Sequence, residues 1–362
     1  MLQLGYTRIG NKHGSKLAII HGWGCDSSSM RPIANMFKDK DVYLIDLPGY
    51  GRSSHLSSLC DDFSATNYLL LNTLPKGCDL MSWSFGSIYA LRAISTLSNP
   101  CINLHSFTQA IQSNPNIRSL EQHLGYRFST KAKEYSPFIS VLEQALTNQA
   151  QSPSQAQAKA QAQGLILATG QKQGLEQGLD MGQGHGHTNS SSICANQKDL
   201  IRSLVTICGS PRFPSDPNWQ GLSAIKILKC NTLLTPKRLK RILDIFYRMI
   251  VKTDQKPTQD GQEQCQAFLQ HRPNIPYEVL MAGIRMVTYI DERPSLEYLK
   301  LPSLHLFGRH DLLVPCSLAN YFEQYTGHKS FIFEHSSHSP MFSEPKLFYQ
   351  VLTNFYNALD HI

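Results

Sequence analysis

The chain has 362 residues, of which 41% are hydrophobic, and its formal net charge is +7. It is long enough to bury a large core as one or two domains, and no apolar run reaches the roughly 18 residues that a membrane-spanning helix needs. The first residues also lack a basic stretch followed by an apolar core, so we expect a cytoplasmic protein without membrane or nucleic-acid partners, whose moderate charge permits an acidic partner.

The nine cysteines show no Cys-x-x-Cys spacing. Three of them, Cys25, Cys208 and Cys316, lie in or beside apolar runs that are typical of strands. This distribution predicts buried, reduced thiols and disfavours disulfides or a zinc site.

Short apolar segments separated by helical or loop sequence predict a parallel sheet that is covered on both faces. Residues 16–25 are predicted to be a buried strand together with the glycine-rich loop into which it runs. The other predicted strands lie at residues 42–46, 78–83, 204–208, 304–308 and 331–333. Helices are expected from the end of the third strand to about Ser98, from about Cys316 to Tyr325, and after Pro345. This alternation is typical of an α/β protein.

A tight turn is predicted at Ser84, where the third strand passes into a helix. The pattern Ser82-x-Ser84-x-Gly86 places small residues two before and two after this serine. Such a turn exposes the hydroxyl, and the helix N-terminus behind it favours developing negative charge. The motif of a nucleophilic serine has Gly at the first small position, so this segment alone also fits an ordinary strand–turn–helix corner.

A nucleophilic serine needs a base, and an acid that orients the base. Asp311 follows the penultimate predicted strand and His338 follows the last one, so both lie at the carboxyl edge of the sheet, where parallel sheets bind ligands. The order Ser84, Asp311, His338 predicts nucleophile, acid and base. His335 is the rival base, but it follows its strand so closely that it is less able to reach the turn.

Two backbone amides are candidates for holding the oxyanion of a tetrahedral intermediate. One belongs to Phe85, directly after the serine. The other belongs to Trp23 in the loop HGWG (residues 21–24), because its glycines let the loop turn close to the serine. The alternative is a loop that serves only to pack Trp23 into the core.

Composition changes abruptly between residues 102 and 197, which are rich in Gln, Ala and Gly. We interpret this segment as a low-complexity insertion, with a helical pattern at residues 138–146 and no fixed structure in its second half. His185 and His187 have no carboxylate or cysteine nearby, so we expect no metal site there. The other predicted divisions are a first part of the core at 1–101, a core strand at 198–218, a helical cap at 219–295 and a second part of the core at 296–362.

A basic amphipathic helix is predicted in the middle of the cap. Its apolar stripe consists of Leu239, Ile242, Leu243, Phe246 and Ile250. Residues at this spacing share one helix face, so we expect the helix to lie over Ser84 with that face inward.

Five segments together resemble the α/β-hydrolase superfamily. They are HGWG (residues 21–24), DLPGYGRS (46–53), WSFG (83–86), Gly308-x-x-Asp311 and His338-x-Pro340. Within the superfamily, the chain is most similar to the biotin-pathway esterases that remove the methyl ester from pimeloyl-acyl carrier protein. This narrower resemblance depends on HGWG, on LVT (204–206) followed by SPRF (210–213) and Trp219, and on Gly308-x-x-Asp311-x-x-Val314-Pro315; it covers about residues 15–100 and 200–360.

The resemblance implies an α/β-hydrolase fold, which has a mostly parallel central sheet, helices on both faces and a helical cap. It implies that Ser84, Asp311 and His338 form a catalytic triad. Trp23 and Phe85 would then form the oxyanion hole, and Phe246 would be an aromatic residue of the acyl pocket. The expected substrate contacts are Trp23, Ser84, Phe85, Phe246 and His338.

The resemblance further implies an acyl carrier protein as partner, held by basic residues of the cap. By helix position, the candidates are Lys237, Arg238, Lys240, Arg241 and Arg248, with an ordinary solvated basic face as the alternative. Ser82 and Ser87 replace glycines of the resembled esterases, and the insertion at residues 102–197 has no counterpart in them.

The sequence therefore predicts a monomeric serine carboxylesterase that needs no metal or organic cofactor and hydrolyses the methyl ester of pimeloyl-acyl carrier protein. Alternatives with the same fold are a general short-chain esterase, a thioesterase and a C–C bond hydrolase. A non-catalytic binding protein, with the insertion as its interaction segment, is disfavoured because a binding protein has no need of Ser, Asp and His together.

Overall fold

A computed structural model describes residues 2–98, 200–223, 226–227, 233–253 and 259–360. The insertion predicted at residues 102–197 lies outside the described residues. The same is true of the helix predicted at residues 138–146 and of His185 and His187, so these remain predictions.

The fold is built on a seven-stranded sheet with the strand order β1-β3-β2-β4-β5-β6-β7. The strands are β1 (Tyr6–Gly10), β2 (Lys16–Ile20), β3 (Asp41–Ile45), β4 (Cys78–Trp83), β5 (Ile201–Ile207), β6 (Ser303–Gly308) and β7 (His328–Phe333). β1 runs antiparallel to β3, and the other neighbouring pairs are parallel. The predicted mostly parallel sheet is confirmed, and β4, which leads to Ser84, lies at its centre.

The edge strand β1 is missing from the strands that the sequence predicts. Its residues alternate between exposed and half-buried positions, whereas all residues of β3 and β4 are buried. A strand with one edge and one face near solvent has no continuous apolar run, so its sequence does not stand out from a loop.

The described helices cover both faces of the sheet. They are α1 (Arg31–Met36), α2 (Phe63–Thr73), α3 (Gly86–Ser98), α4 (Leu239–Ile250), α5 (Gln259–Gln270), α6 (Tyr277–Tyr289), α7 (Leu318–Phe322), α8 (Pro340–Ser343) and α9 (Pro345–Leu359). None of them is both long enough and apolar enough to cross a bilayer. The helices expected up to Ser98 and after Pro345 are confirmed by α3 and α9.

The helix predicted from Cys316 to Tyr325 is shorter in the structure, where α7 covers Leu318–Phe322. The amides of Leu318 and Ala319 bond to carbonyls three residues earlier, so tight turns precede the helix. Beyond it, the Tyr325 amide bonds to the Phe322 carbonyl, which is again a three-residue turn. The prediction was therefore wrong at both ends.

Apolar side chains of alternate strand residues enter two separate core layers. Along β2, Leu17 and Ile19 belong to one layer, and Ala18 and Ile20 belong to the other. α1 and α9 pack in the first layer, and α2, α3 and α7 pack in the second. Burying an aliphatic side chain of this size contributes about 1.5–3 kcal/mol, so covering both faces holds the central strands firmly in register.

The described cysteines are free thiols, as predicted. Cys25 and Cys208 are buried, but Cys316 is only half-buried, so the prediction of burial fails for that residue. Cys316 follows the turn after β6, where its sulfur lies 3.3 Å from Nη1 of the exposed Arg309.

Candidate active site

Ser84 occupies the sharp turn between β4 and α3. Its φ angle of 50° lies in the left-handed region, which a serine adopts only where the surrounding structure enforces it. The Ser84 amide donates to the Ile207 carbonyl at 2.8 Å, and the Ser87 amide donates to the Ser84 carbonyl at 2.9 Å. The end of β5 and the first turn of α3 therefore hold this strained residue from both sides.

Small residues on either side of Ser84 let the turn close. A Cβ atom on Gly86 would lie 2.7 Å from the His21 carbonyl oxygen, which is closer than real Cβ contacts. Ser82 occupies the other small position, and its hydroxyl oxygen lies 3.2 Å from that of Ser87, with both side chains buried. The two serines that replace glycines of the resembled esterases thus satisfy each other with a hydrogen bond.

His338 connects Ser84 to Asp311. Its Nε2 lies 2.6 Å from Ser84 Oγ, and its Nδ1 lies 2.7 Å from Asp311 Oδ2. Because a carboxylate only accepts hydrogen bonds, Nδ1 carries the proton, and Nε2 is free to accept the proton of the serine hydroxyl. The structure thus brings together the three residues predicted as nucleophile, acid and base. His335, the rival base, is exposed and lies outside this arrangement.

The carboxylate of Asp311 is held by the backbone that follows it. Its Oδ1 accepts from the amides of Leu313 at 2.8 Å and Val314 at 3.1 Å. These two bonds occupy one oxygen and leave the other directed at His338, whose side chain is only 2% exposed. A fixed, buried acceptor of this kind keeps the imidazole in one tautomer and one orientation.

The thiol of Cys208 lies behind the Asp311 and His338 pair. The ligand atoms of these three residues lie within 4.8 Å of one another, which is close enough for a metal ion. However, burial and the neighbouring Asp311 raise the pKa of the Cys208 thiol well above its ordinary value, and a metal needs the thiolate. The histidine and carboxylate are also bonded to each other already. The group therefore fits a metal ion poorly.

The HGWG loop (residues 21–24) lies against the turn that carries Ser84. A Cβ atom on Gly22 would lie 3.5 Å from Ser84 Cβ, so the loop passes close enough to the serine that a single added carbon would contact it. Leu47 donates its amide to His21 Nε2 at 3.1 Å, which leaves Nδ1 to donate to the Gly22 carbonyl at 2.8 Å. Burial lowers the pKa of His21, in agreement with this neutral form. The loop that contains the Trp23 amide is thus held beside the serine.

Ser84 lines an apolar cavity of about 270 Å³. Trp23, Phe85 and Phe246, which were predicted to contact substrate, also line it. The remaining described lining residues are Phe213, Leu222, Ile227, Leu233, Leu234, Ile242, Ile245, Met249, Ile284, Val287, Thr288 and Leu313. None of these described residues carries a charge, so the cavity suits an uncharged aliphatic chain. His338 is not among them, although it bonds to Ser84.

The five basic residues predicted to hold a carrier protein are exposed on the cap. Lys237 and Arg238 precede α4, and Lys240, Arg241 and Arg248 belong to it. The acidic residue of that helix, Asp244, pairs with Arg272 at 3.3 Å instead of with any of the five. An exposed basic face suits an acidic partner and solvent equally, so the carrier contacts remain a prediction.

Two aromatic residues contact the site without having been predicted as part of it. The Tyr247 hydroxyl donates to the Gly24 carbonyl, and the Trp83 indole donates to the His338 carbonyl at 2.9 Å. Both residues stand in apolar stretches, where a linear pattern does not separate a functional aromatic side chain from a core one.

A comparison with protein families agrees with this geometry. A model described as "Alpha/beta hydrolase family" matches residues 17–351, which is most of the chain. The chain belongs to the alpha/beta hydrolase family. The fold predicted from the sequence motifs is thereby confirmed.

Named relatives of this alpha/beta hydrolase are esterases. The chain is 30% identical to a pimeloyl-[acyl-carrier protein] methyl ester esterase of Hamiltonella defensa over 192 residues, which cover 53% of this chain and 73% of that protein. It is 29% identical to an esterase of the same name from Vibrio vulnificus over 181 residues, 50% of this chain and 70% of that protein. Family and relatives together identify a carboxylic ester hydrolase, and they confirm the resemblance drawn from the motifs.

Solved structures share the fold of this alpha/beta hydrolase at low sequence identity. An esterase from Exiguobacterium antarcticum has a TM-score of 0.60 at 13% identity, with 98% of this chain and 99% of that chain covered. A bromoperoxidase from Bacillus anthracis has a TM-score of 0.61 at 15% identity, with 97% and 94% covered. Likeness at this level of identity supports the common fold alone.

Proposed function

We propose that this alpha/beta hydrolase removes the methyl ester from pimeloyl-acyl carrier protein in the cytoplasm, as a step of biotin precursor synthesis. The observation that carries the proposal is the hydrogen-bonded series Ser84, His338, Asp311 at the wall of an apolar cavity. The substrate is inferred from the names of the relatives, which are pimeloyl-[acyl-carrier protein] methyl ester esterases.

In the proposed reaction, Ser84 Oγ attacks the ester carbonyl while His338 Nε2 takes the hydroxyl proton. Asp311 holds the imidazole through Nδ1 and stabilises the imidazolium that forms. The carbonyl oxygen becomes an oxyanion, which accepts hydrogen bonds from the amides of Trp23 and Phe85. Each such donor lowers the barrier by about 2.7–4 kcal/mol, so both amides are needed for efficient turnover.

Collapse of this first intermediate completes the transfer. His338 returns the proton to the departing methoxide, methanol leaves, and the acyl group stays on Ser84. A water molecule then gives its proton to His338 and attacks the acyl carbonyl, which frees the carboxylate and restores Ser84. The protein groups supply every proton transfer, so the proposed reaction uses no metal or organic cofactor.

The cavity supports an acyl chain with no free charge. A pimeloyl chain with a methyl ester at one end and a carrier thioester at the other is uncharged, and its methylene groups match the aliphatic lining. Hydrolysis creates a carboxylate, which an apolar wall solvates poorly. Poor solvation of the product favours its departure and opposes its return.

The exposed basic face of the cap supports an acidic carrier as the other half of the substrate. Opposite charges on two surfaces raise the rate of encounter and orient the partner, and salt weakens both effects. Lys237, Arg238, Lys240, Arg241 and Arg248 are the residues proposed to supply this attraction.

The deciding experiment measures methanol release from pimeloyl-acyl carrier protein methyl ester by the purified full chain, with Ser84→Ala as the control. We expect efficient release that Ser84→Ala abolishes. Cleavage of p-nitrophenyl esters that requires Ser84, without methanol release from the carrier substrate, would support ester hydrolysis by Ser84 and reject the proposed substrate. Turnover that survives in Ser84→Ala would reject the mechanism.

A second experiment tests the carrier contacts separately. Reversing two charges in Arg241→Glu/Arg248→Glu should raise KM for the carrier substrate and leave KM for p-nitrophenyl butyrate unchanged. Lys38→Glu, which changes an exposed lysine outside the cap, is the matched control and should alter neither constant. An equal KM for the carrier substrate in all three proteins would assign the basic face to solvent.

A further inference from the structure

Tyr247 of α4 reaches the HGWG loop from the cap. Its hydroxyl donates to the carbonyl of Gly24. A Cβ atom on Gly24 would lie 3.6 Å from Leu243, 3.7 Å from Phe246 and 3.8 Å from the Tyr247 hydroxyl. Helix α4 therefore packs directly on this part of the loop and adds one specific hydrogen bond to it.

A second hydrogen bond of the loop stands in series with that of Tyr247. The Cys25 amide donates to the Gly22 carbonyl at 3.3 Å. The Gly24 carbonyl and the Cys25 amide belong to the same planar peptide group. The Gly22 carbonyl and the Trp23 amide likewise belong to one peptide group. A chain of two peptide groups thus runs from the Tyr247 hydroxyl to the N–H of Trp23.

We propose that Tyr247 is a positioning residue for ester hydrolysis, whose hydroxyl orients the Trp23 N–H through these two peptide groups. This inference rests on the proposed role of the Trp23 amide in holding the oxyanion. Hydrogen bonds in series polarise one another, so the hydroxyl also makes the Trp23 amide a better donor. The cap then takes part in catalysis as well as covering the cavity.

The surroundings of Tyr247 keep its hydroxyl in place and protonated. Tyr247 is only 1% exposed, and burial raises the pKa of its hydroxyl well above the ordinary value, so the group stays a donor at working pH. The Arg272 guanidinium lies 4.6 Å from the ring centre and pairs with Asp244 at 3.3 Å. These contacts involve the ring and not the hydroxyl, so they help to hold the ring independently of its hydrogen bond to Gly24.

The His21 bond to the Gly22 carbonyl at 2.8 Å holds one end of the loop backbone, and the Tyr247 bond holds the other end at Gly24. Gly24 has a φ of 69°, and glycine turns easily between backbone conformations. The Trp23 side chain has its own anchors: its indole donates to the Leu280 carbonyl at 2.9 Å, and its ring lies 4.9 Å from that of Phe246. Loss of the Tyr247 hydroxyl should therefore disturb the amide that holds the oxyanion and spare the surface that binds the acyl chain.

The test compares Tyr247→Phe with Tyr277→Phe. The Tyr277 hydroxyl also donates to a backbone carbonyl of the cap, that of Leu234 at 3.0 Å, so its removal matches the chemistry away from the HGWG loop. The substrate is p-nitrophenyl butyrate. The concentration of active sites is measured by titration, and kcat is calculated from it, so that unfolded protein does not lower the value. We expect kcat of Tyr247→Phe to fall about 10- to 100-fold with KM unchanged, because a displaced oxyanion donor costs on this order. Tyr277→Phe should keep the wild-type kcat.

A trifluoromethyl ketone inhibitor supplies a readout that a general packing defect would not give. It adds reversibly to the serine and forms an oxyanion, whereas the corresponding alcohol binds without forming one. In Tyr247→Phe, affinity for the ketone should fall by the same factor as kcat, and affinity for the alcohol should stay the same. Equal losses for ketone and alcohol would overturn the proposal, because they indicate damage to the cavity.

Two outcomes separate this proposal from the proposed function. Unchanged kcat and unchanged ketone affinity in Tyr247→Phe, with hydrolysis that still requires Ser84, would overturn only the role of Tyr247. Hydrolysis that persists in Ser84→Ala would overturn the proposed function, and with it the role of Tyr247, which depends on that function.

Discussion

The indole N–H of Trp83 donates to the carbonyl of His338 at 2.9 Å. Trp83 is the last residue of β4 and directly precedes Ser84, so one side chain ties the turn of the serine to the loop of the histidine. Trp83 is 1% exposed, and its ring packs edge-on against those of Phe268 and Phe342. The bond between Trp83 and His338 thus helps to hold Ser84 Oγ at hydrogen-bonding distance from His338 Nε2.

Replacing Trp83 by Phe should lower both activity and stability. The variant leaves the buried His338 carbonyl without this donor, which costs about 1–3 kcal/mol of the free energy of unfolding. Looser placement of the imidazole should reduce kcat roughly 10-fold. Trp219→Phe is the matched control, since the Trp219 indole also donates to a backbone carbonyl, that of Arg212 at 2.7 Å. Urea denaturation and p-nitrophenyl ester kinetics should show similar destabilisation in both variants and a kcat loss in Trp83→Phe alone.

Asp311→Asn should impair the reaction without disturbing the fold. An amide in place of the carboxylate can donate to Nδ1, which moves the proton of His338 to Nε2 and removes the base that faces Ser84. We expect kcat to fall about 10³- to 10⁴-fold, as for the buried acid of other Ser–His–Asp sites. Asp61→Asn, at an exposed aspartate that pairs with Arg285, should retain full activity. A loss of less than about 10-fold in Asp311→Asn would contradict the assigned role.

Gly86→Ala should distort the turn at Ser84. The added methyl group would meet the His21 carbonyl at 2.7 Å and Ile20 Cγ2 at 2.9 Å, so the start of α3 must move away from β2. Overpacking of this kind costs about 1–3 kcal/mol, and the shift of Ser84 should lower kcat as well. Ser87→Ala, one residue further on, removes only the hydroxyl that meets Ser82 and serves as the comparison. Stability and kcat of Gly86→Ala equal to those of the unmodified chain would show that the turn tolerates a side chain at residue 86.

A buried pair of histidines, His305 of β6 and His328 of β7, joins these two strands. His305 Nε2 is 3.0 Å from His328 Nδ1, and His305 Nδ1 is 2.8 Å from the hydroxyl oxygen of Thr206. Burial lowers the pKa of both histidines below the ordinary value of 6.5, and the positive charge of Lys300 lowers that of His328 further. The folded protein therefore binds fewer protons here than the unfolded chain does at pH values below about 6.5.

This difference in proton binding predicts that acid weakens the fold. Each histidine makes its full contribution to the free energy of unfolding above pH 6.5. That contribution is lost as the pH falls below this value, by at most about 1.4 kcal/mol per pH unit. His305→Gln should make the free energy of unfolding less dependent on pH in this range, whatever its absolute value. Urea denaturation at several pH values measures the slope, with His13→Gln at an exposed histidine as control. A slope as steep in His305→Gln as in the unmodified chain would refute the explanation.

Much of the fold could be predicted because the central strands are buried on both faces and so consist of continuous apolar residues. The carboxyl ends of parallel strands meet at one edge of a sheet, so the positions of Ser84, Asp311 and His338 along the chain already predicted that they converge. Their hydrogen bonds at 2.6 and 2.7 Å agree with that expectation. The edge strand β1 escaped prediction because a half-exposed strand lacks the apolar run that marks the others.

The supporting contacts could not be predicted in this way. Trp83 and His338 are 255 residues apart in sequence, and Tyr247 and Gly24 are 223 apart. A hydrogen bond from a buried aromatic side chain to a distant carbonyl depends on how helices and loops pack. The local sequence pattern of either segment does not predict it. Sequence periodicity reports which side of an element is buried, whereas the identity of the partner on that side is set by the packing of the whole chain.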